Sequence, residues 1–456
     1  MSTEVPLSVG LISLGCAKNL VDTQIMSGVL LTEGLTLAHD ANHADIVLIN
    51  TCAFVQLARD EATEIIEEMS QHKAAGGCRA IIVAGCLSQR YRDDLVARFP
   101  LVDAWIGVDE LESIADVARS ITATPSARPL VAVSESSVAL FSPRLPTLAL
   151  SPPSFAYLKI AEGCNHGCAF CAIPGIRGRF RSRPLPELVE EARALLKDKR
   201  RELNLIAQDT TDYGRERRGG PRLNELLQAL DALPGRFWLR LLYAYPSAAL
   251  DKLLPLLAQS RHIVPYLDLP IQHSHPDILR AMQRADTIPR LHDLTPRLRA
   301  AVPGIVIRTT CLVGFPGETE AHFEHLVATV RAARFDHLGV FAFSPEQGTP
   351  AVKLGDPVPA EVAEARRERL MRVQRKIVTA NGRARIGTTV EALLQHPALG
   401  GRGRWVARTV WQAPDVDGET VVSGLPAKAA IGDFVSIRIT GIRGYTFAAV
   451  PAGRAV

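Results

Sequence analysis

The run Cys164-Asn165-His166-Gly167-Cys168-Ala169-Phe170-Cys171 puts three thiols on one short stretch of chain. Thiolates are soft ligands suited to iron-sulfur clusters and to zinc. Three of them fill three corners of a 4Fe-4S cubane and leave one iron open to a small molecule. A closed zinc site needs a fourth N or S ligand, and within this run His166 is the residue that would supply it. The thiols follow an apolar run, Phe155 to Ile160, that reads as a strand.

A second set of thiols is dispersed. Short apolar runs at Leu7 to Leu14, Asp45 to Asn50 and Ala80 to Ala84 are separated by amphipathic stretches such as Arg59 to Lys73, the pattern of a parallel α/β sheet. Cys16, Cys52 and Cys86 each lie within two residues of the end of one such run. The carboxyl ends of parallel strands share one edge, where ligands bind, so these cysteines are predicted to meet and hold a second cluster. The plain alternative is three separate core thiols. Cys78, in a Gly-Gly-Cys loop, and Cys311, inside an apolar run, read as free core thiols.

Positioning these groups requires several domains, because 456 residues exceed what one core supports. Residues 7–121 are predicted to form the N-terminal parallel sheet domain. Residues 122–153, rich in Ser, Pro, Thr and Ala, read as a linker with one strand, Leu130 to Val133. Residues 154–383 carry six strand-like runs, each followed by a helical pattern: Phe155 to Ile160, Leu203 to Ala207, Trp238 to Tyr243, Val264 to Leu269, Ile305 to Val313 and His337 to Phe343. Six β/α units make a partial barrel, whose chemistry belongs at the carboxyl ends of its strands. Gln208, Asp209, Tyr245, Gln272, His273, Gly314 and Glu318 all fall there, with Cys164. His273 and His275 read as polar contacts rather than metal ligands. The arginine-rich segment Glu361 to Ala380 reads as a solvated helix face. Residues 384–454 alternate in short runs, with a turn at Asp417-Gly418, as a small β-barrel does.

The start of the chain has no basic and apolar leader, and no apolar run is long enough to span a bilayer, so a cytoplasmic chain without membrane association is expected. In that setting eight cysteines point to metal ligands, catalytic thiols or core positions rather than disulfides. A net charge of +4 permits nucleic acid as a partner without demanding it.

The cysteine loop resembles that of radical S-adenosylmethionine (SAM) enzymes. Taken with Gly15-Cys16-Ala17-Lys18-Asn19, Asn50-Thr51-Cys52-Ala53-Phe54, Gly85-Cys86-Leu87-Ser88-Gln89-Arg90-Tyr91 and Gly314-Phe315-Pro316-Gly317-Glu318, it identifies nearly the whole chain as similar to the radical SAM methylthiotransferase family. That resemblance implies an N-terminal domain holding one 4Fe-4S cluster on Cys16, Cys52 and Cys86, and a radical SAM barrel holding another on Cys164, Cys168 and Cys171. It also implies a C-terminal OB-like TRAM domain. In the superfamily the open iron binds SAM and passes it one electron, releasing a 5'-deoxyadenosyl radical. The family replaces C–H with C–S–CH3.

The context of Cys16, Ser-Leu-Gly-Cys-Ala-Lys-Asn, is similar to the RimO branch, which implies methylthiolation of the β-carbon of an aspartate in small-subunit ribosomal protein S-twelve. The tRNA-modifying branch typically carries Gly-Cys-Gln-Met-Asn and is the alternative, with tRNA as partner. A non-catalytic iron-sulfur or RNA-binding scaffold is a further one. The tail from Ile386 has seven basic residues (Arg402, Arg404, Arg408, Lys428, Arg438, Arg443, Arg454) against five acidic ones (Glu391, Asp415, Asp417, Glu419, Asp433). Such a balance grips phosphate poorly and favours a protein substrate. The resemblance further implies that Phe170, Gln208, Gly314, Gly317 and Glu318 contact SAM, and that a reducing partner supplies the electron. Arg177, Arg181 and Arg183 are candidates to balance a cluster or the SAM carboxylate.

Overall fold

The computed structural model describes residues 6–124, 126, 128–141, 145–399, 401 and 403–453. The expected absence of a leader at residues 1–5, and Arg402 and Arg454 of the tail, lie outside these.

The first sheet contains β1 (Ser8–Ser13), β2 (Thr36–Leu37), β3 (Ile46–Thr51), β4 (Ala80–Gly85), β5 (Ala104–Ile106) and β6 (Leu130–Ala132), in the order β2-β1-β3-β4-β5-β6 and parallel throughout. Every residue of β3 and β4 is buried, as expected of strands covered on both faces by crossover helices. Ser13 pairs with Asn50 and Thr51 with Gly85, so the carboxyl ends of β1, β3 and β4 finish level. β6 lies in the segment read as linker, yet it is the edge strand of this sheet, hydrogen-bonded to β5.

The second sheet comprises β7 (Phe155–Lys159), β10 (Glu202–Ile206), β11 (Trp238–Leu241), β12 (Ile263–Asp268), β13 (Val306–Val313) and β14 (His337–Ala342). Its order is β14-β13-β12-β11-β10-β7, parallel and unclosed: a partial barrel. Between β7 and β10, a two-stranded ribbon of β8 (Ala161–Glu162) and β9 (Arg181–Ser182) carries the cysteine loop, so the thiols follow a short second strand rather than β7 itself. Leu158, Leu205, Leu239, Leu267 and Ile307 pack outward with the helices. The alternating residues Tyr157, Ile206, Trp238 and Tyr266 point to the concave side, in a core shared with the N-terminal domain.

The third unit is a closed barrel of β15 (Thr389–Pro397), β16 (Arg404–Thr409), β17 (Thr420–Ser423), β18 (Phe434–Arg443) and β19 (Thr446–Pro451), in the order β15-β16-β17-β19-β18. Its β16–β17 connection docks into the concave side of the partial barrel. Tyr157 and Tyr266 donate hydroxyl hydrogen bonds to Asp415 and Asp417, each at 2.7 Å, and Arg408 pairs with buried Glu202. Asp417 also faces Arg308 and His337. The tail charges counted from sequence are therefore partly consumed inside the molecule.

On the arginine-rich helix, Ala360–Ala384, Arg372, Arg375 and Lys376 form the expected solvated face, whereas Arg366 is buried on Glu318 and Arg369 pairs with Glu320 and Glu324. No described helix is long and apolar enough to cross a membrane.

Candidate functional site

The three dispersed cysteines sit where the level strand ends place them. Cys16 caps the helix Ala17–Thr32, Cys52 follows β3, and Cys86 opens the helix Cys86–Arg98. Asn19 ties the three turns together. Its Nδ2 donates to the carbonyls of Leu14 (3.2 Å) and Thr51 (2.8 Å), and its Oδ1 lies 3.6 Å from Cys86 Sγ. Gly15 has φ +95°, and a Cβ there would come within 2.6 Å of Cys52 Cβ, so this approach of the two turns requires glycine.

Arg177, from the helix Ile173–Arg177 just beyond Cys171, reaches into this site. Its Nη2 donates to Asn19 Oδ1 (2.8 Å) and to Cys86 Sγ (3.3 Å). It also pairs with Asp22 at 2.8 Å and Glu162 at 3.2 Å. Lys159 binds the same two carboxylates, and Gln208 Nε2 donates to Glu162 Oε2 at 3.4 Å. A buried chain of polar groups thus runs from Gln208 at the end of β10 to Cys86. Burial would raise Glu162, but Lys159 and Arg177 hold its carboxyl below the usual range.

The compact cysteine loop is fixed from several sides. Gly163 has φ +74°, with a Cβ position only 2.2 Å from the Arg179 carbonyl oxygen. Cys164 N donates to Gly178 O (3.1 Å), His166 N to Cys164 Sγ (3.4 Å) and Ala169 N to Met282 O (3.0 Å). Arg284 Nη1 donates to Cys168 Sγ at 3.6 Å while its other arm holds Pro270 O. The His166 ring stacks on Tyr245 with centroids 4.0 Å apart, and its Nε2 is 2.6 Å from Asp209 Oδ2. It is therefore engaged elsewhere than as a fourth ligand beside the thiols.

Burial pushes the thiols of Cys86, Cys164 and Cys171 up to about 12 and raises Cys52 as well. Such buried thiols ionise when a metal takes the sulfur, which is how thiolate ligands are made. All eight cysteines are free. Two sets of three on rigid turns, each with a guanidinium on one sulfur, fit iron-sulfur ligation.

The remaining expected contacts are distributed as follows. Phe170 packs beside Ala169, Met282 and Phe315 in a small core that joins the cysteine loop to the Gly314–Glu318 turn. Gln208 leaves its buried Oε1 without a partner. Gly314 has φ +75°, and a Cβ there would meet Ala363 Cβ at 2.3 Å; Gly317, at φ +80°, faces open space. Glu318 turns inward. Its Oε2 accepts from Gly314 N (2.6 Å) and Phe315 N (3.3 Å), while Oε1 meets Arg366 at 3.1 Å. Its carboxylate closes the turn. Arg183 binds Lys159 O and Glu191, and Arg181 binds the carbonyls of Ser137 and Ala139, so of the three arginines Arg177 alone reaches a cysteine. His273 Nδ1 accepts from His275 N, the polar contact expected of it. Cys311 is buried in β13, while Cys78 is half-buried. Sequence reasoning gave no role to Asn19, Asp22, Lys159, Glu162 or Arg284, for none stands at a metal-ligand spacing; Asn19 lies three residues from Cys16, and that adjacency was the available signal.

The family models that match are the uncharacterized protein family UPF0004 over residues 8–107, the radical SAM superfamily over 158–330 and the TRAM domain over 386–451. Among curated relatives, a "Ribosomal protein uS12 methylthiotransferase RimO" from Desulforamulus reducens is 40% identical, covering 95% of this chain and 96% of the relative. Proteins of the same name from Pelotomaculum thermopropionicum (41% identical, 95% and 97% covered) and Geobacter sulfurreducens (40%, 96% and 97%) agree. Among solved structures, the radical SAM methyltransferase TsrM from Kitasatospora setae, with cobalamin and a [4Fe-4S] cluster bound, matches at TM-score 0.53 and 17% identity over 75% of this chain and 77% of that one, a likeness of fold. With both cysteine triads in place and relatives matching over nearly their full length, the chain belongs to the RimO methylthiotransferase family, radical SAM enzymes with iron-sulfur chemistry.

Proposed function

We propose that this enzyme methylthiolates the β-carbon of an aspartate in ribosomal protein uS12, using SAM and two 4Fe-4S clusters, with a separate reducing partner. The observation that carries the reading is the reach of Arg177 from beside the barrel cysteines to Cys86 Sγ, at 3.3 Å. It makes the two thiol triads neighbours across one domain boundary, as a reaction that both activates a C–H bond and delivers sulfur requires.

When bound, the clusters and SAM supply one-electron chemistry and sulfur. Cys164, Cys168 and Cys171 would hold one cluster, and Cys16, Cys52 and Cys86 the other. The unpartnered Gln208 Oε1 is a ready acceptor for the SAM ammonium. Phe170 offers an apolar surface beside the loop. Gly314 and Gly317 shape the turn that approaches SAM, and Glu318 acts by holding that turn rather than by touching the ligand. Arg284 and Arg177 donate to cysteine sulfurs and so favour the reduced, more anionic state of whatever those sulfurs bind.

Mass spectrometry of ribosomal proteins and tRNA from a deletion strain tests the reading. Loss of a methylthio group from uS12 is expected; loss from tRNA adenosine with uS12 unchanged would transfer the chain to the other branch.

A further inference from the structure

Lys18 is two residues past Cys16, in the first turn of the helix Ala17–Thr32. It is 8% exposed, and its Nζ lies 3.0 Å from the centroid of the Tyr243 ring. Among the described residues the face of that ring is the one partner of its ammonium. The other buried lysine, Lys159, is bound by two carboxylates. A ring face holds an ammonium less strongly than a carboxylate does, and Lys18 Nζ is not among the buried, unpartnered polar atoms, so it keeps an open side to which an anion can come.

Tyr243 is itself unusual. It follows β11 at the mouth of the barrel with φ +56°, a left-handed conformation that a non-glycine residue adopts only when its surroundings impose it. Its N–H bonds Asp268 Oδ2 at 3.2 Å, and its carbonyl accepts from Thr210 N at 3.0 Å. Asp209 and Gln208 precede that threonine at the end of the neighbouring strand, β10. The Lys18–Tyr243 stack therefore lies between Cys16 of one triad and the strand ends that face the other. A residue attacked by a radical from one side and given sulfur from the other must occupy that interval.

We propose that Lys18 binds the carboxylate of the residue to be modified, and that Tyr243 holds the ammonium aimed for it. The proposal rests on the reading that the substrate is an acidic side chain of a ribosomal protein. An aspartate brings its anion next to the carbon that reacts, and the partner-poor ammonium supplies the complement. An adenine brings no anion to this ammonium, so the same residue would discriminate between these substrates.

The test measures binding and steady-state kinetics of the cluster-loaded enzyme with a uS12 peptide carrying the target aspartate and with the same peptide carrying asparagine there. The wild-type enzyme should bind the aspartate peptide about 10- to 100-fold more tightly. Lys18→Met and Lys18→Gln should lose that preference, with kcat/KM on the aspartate peptide falling by about the same factor, while Lys18→Arg keeps most of it. Iron content and melting temperature identify variants that fail to fold, and the comparison of the two peptides on the wild-type enzyme stands without any variant. Equal binding of the two peptides by the wild-type enzyme, or a loss in Lys18→Met that is the same for both, would overturn the role. If the wild-type enzyme modifies tRNA and ignores uS12, the functional reading fails first, and the proposal with it.

Discussion

Arg177 Nη2 stands 3.3 Å from Sγ of Cys86 and also pairs with Asp22, so one guanidinium of the partial barrel is built into the thiol site of the N-terminal domain. Arg177→Met should therefore leave Asp22 and Glu162 with Lys159 as their remaining close cation. The expected loss of stability is about 3–5 kcal/mol, the usual effect of removing one partner from a buried charge group. Iron bound at the N-terminal triad should fall as well. A variant with unchanged melting temperature and iron content would show that the two domains are matched without this arginine.

Changing Cys164, Cys168 and Cys171 together to Ala should leave about four of about eight irons and abolish formation of 5'-deoxyadenosine. Persistent 5'-deoxyadenosine from that protein would remove the barrel thiols from SAM cleavage.

The complementary triple change of Cys16, Cys52 and Cys86 to Ala should separate two activities. Reductive SAM cleavage continues, because Gln208, Phe170 and the barrel cysteines are retained, while methylthiolation stops. The readout is 5'-deoxyadenosine against methylthiolated product in one reaction, and full product formation would sink the assignment.

The closed C-terminal barrel is a structural part of the second sheet's concave face, and pH should reveal it. Burial would raise the buried Glu202 carboxyl, but Arg408 and Arg240 hold it below its ordinary value of 4.5. Because the folded value is depressed, its contribution is fully present above about pH 4.5 and is lost as pH falls through the lower folded value. Glu202→Gln should flatten this acid limb in melts recorded against pH. Truncation at Ile386 should lower stability as well as substrate binding, because it strips Asp415 and Asp417 from Tyr157 and Tyr266. A truncated protein as stable as the full chain would contradict this docking.

Gly314 and Gly317 differ in what surrounds them, and alanine should separate them. Gly314→Ala places a Cβ 2.3 Å from that of Ala363 and should cost about 2–4 kcal/mol through overlap and backbone strain. Gly317→Ala meets open space and should cost about 1–2 kcal/mol from its positive φ alone. Equal melting temperatures would mean that the helix Ala360–Ala384 moves aside.

The sequence by itself determined the layered architecture and which thiols stand together as two sets of three. Metal chemistry demands cysteine, and neither a compact run such as Cys164–Cys171 nor three thiols at the ends of parallel strands needs distant information to be read. Periodicity placed the six barrel strands within a residue or two, because alternation and burial act locally. Tertiary structure decided the rest. Arg177 and Arg284 reach cysteine sulfurs, Asp417 docks on Tyr266, and Lys18 lies on Tyr243 through contacts between distant segments that leave no local pattern. Glu318 shows the limit most clearly. The family resemblance implied a SAM contact there, and only the structure shows the carboxylate folded back onto Gly314 N and Arg366, because a buried charge is stabilised by the nearest donors and cation available to it.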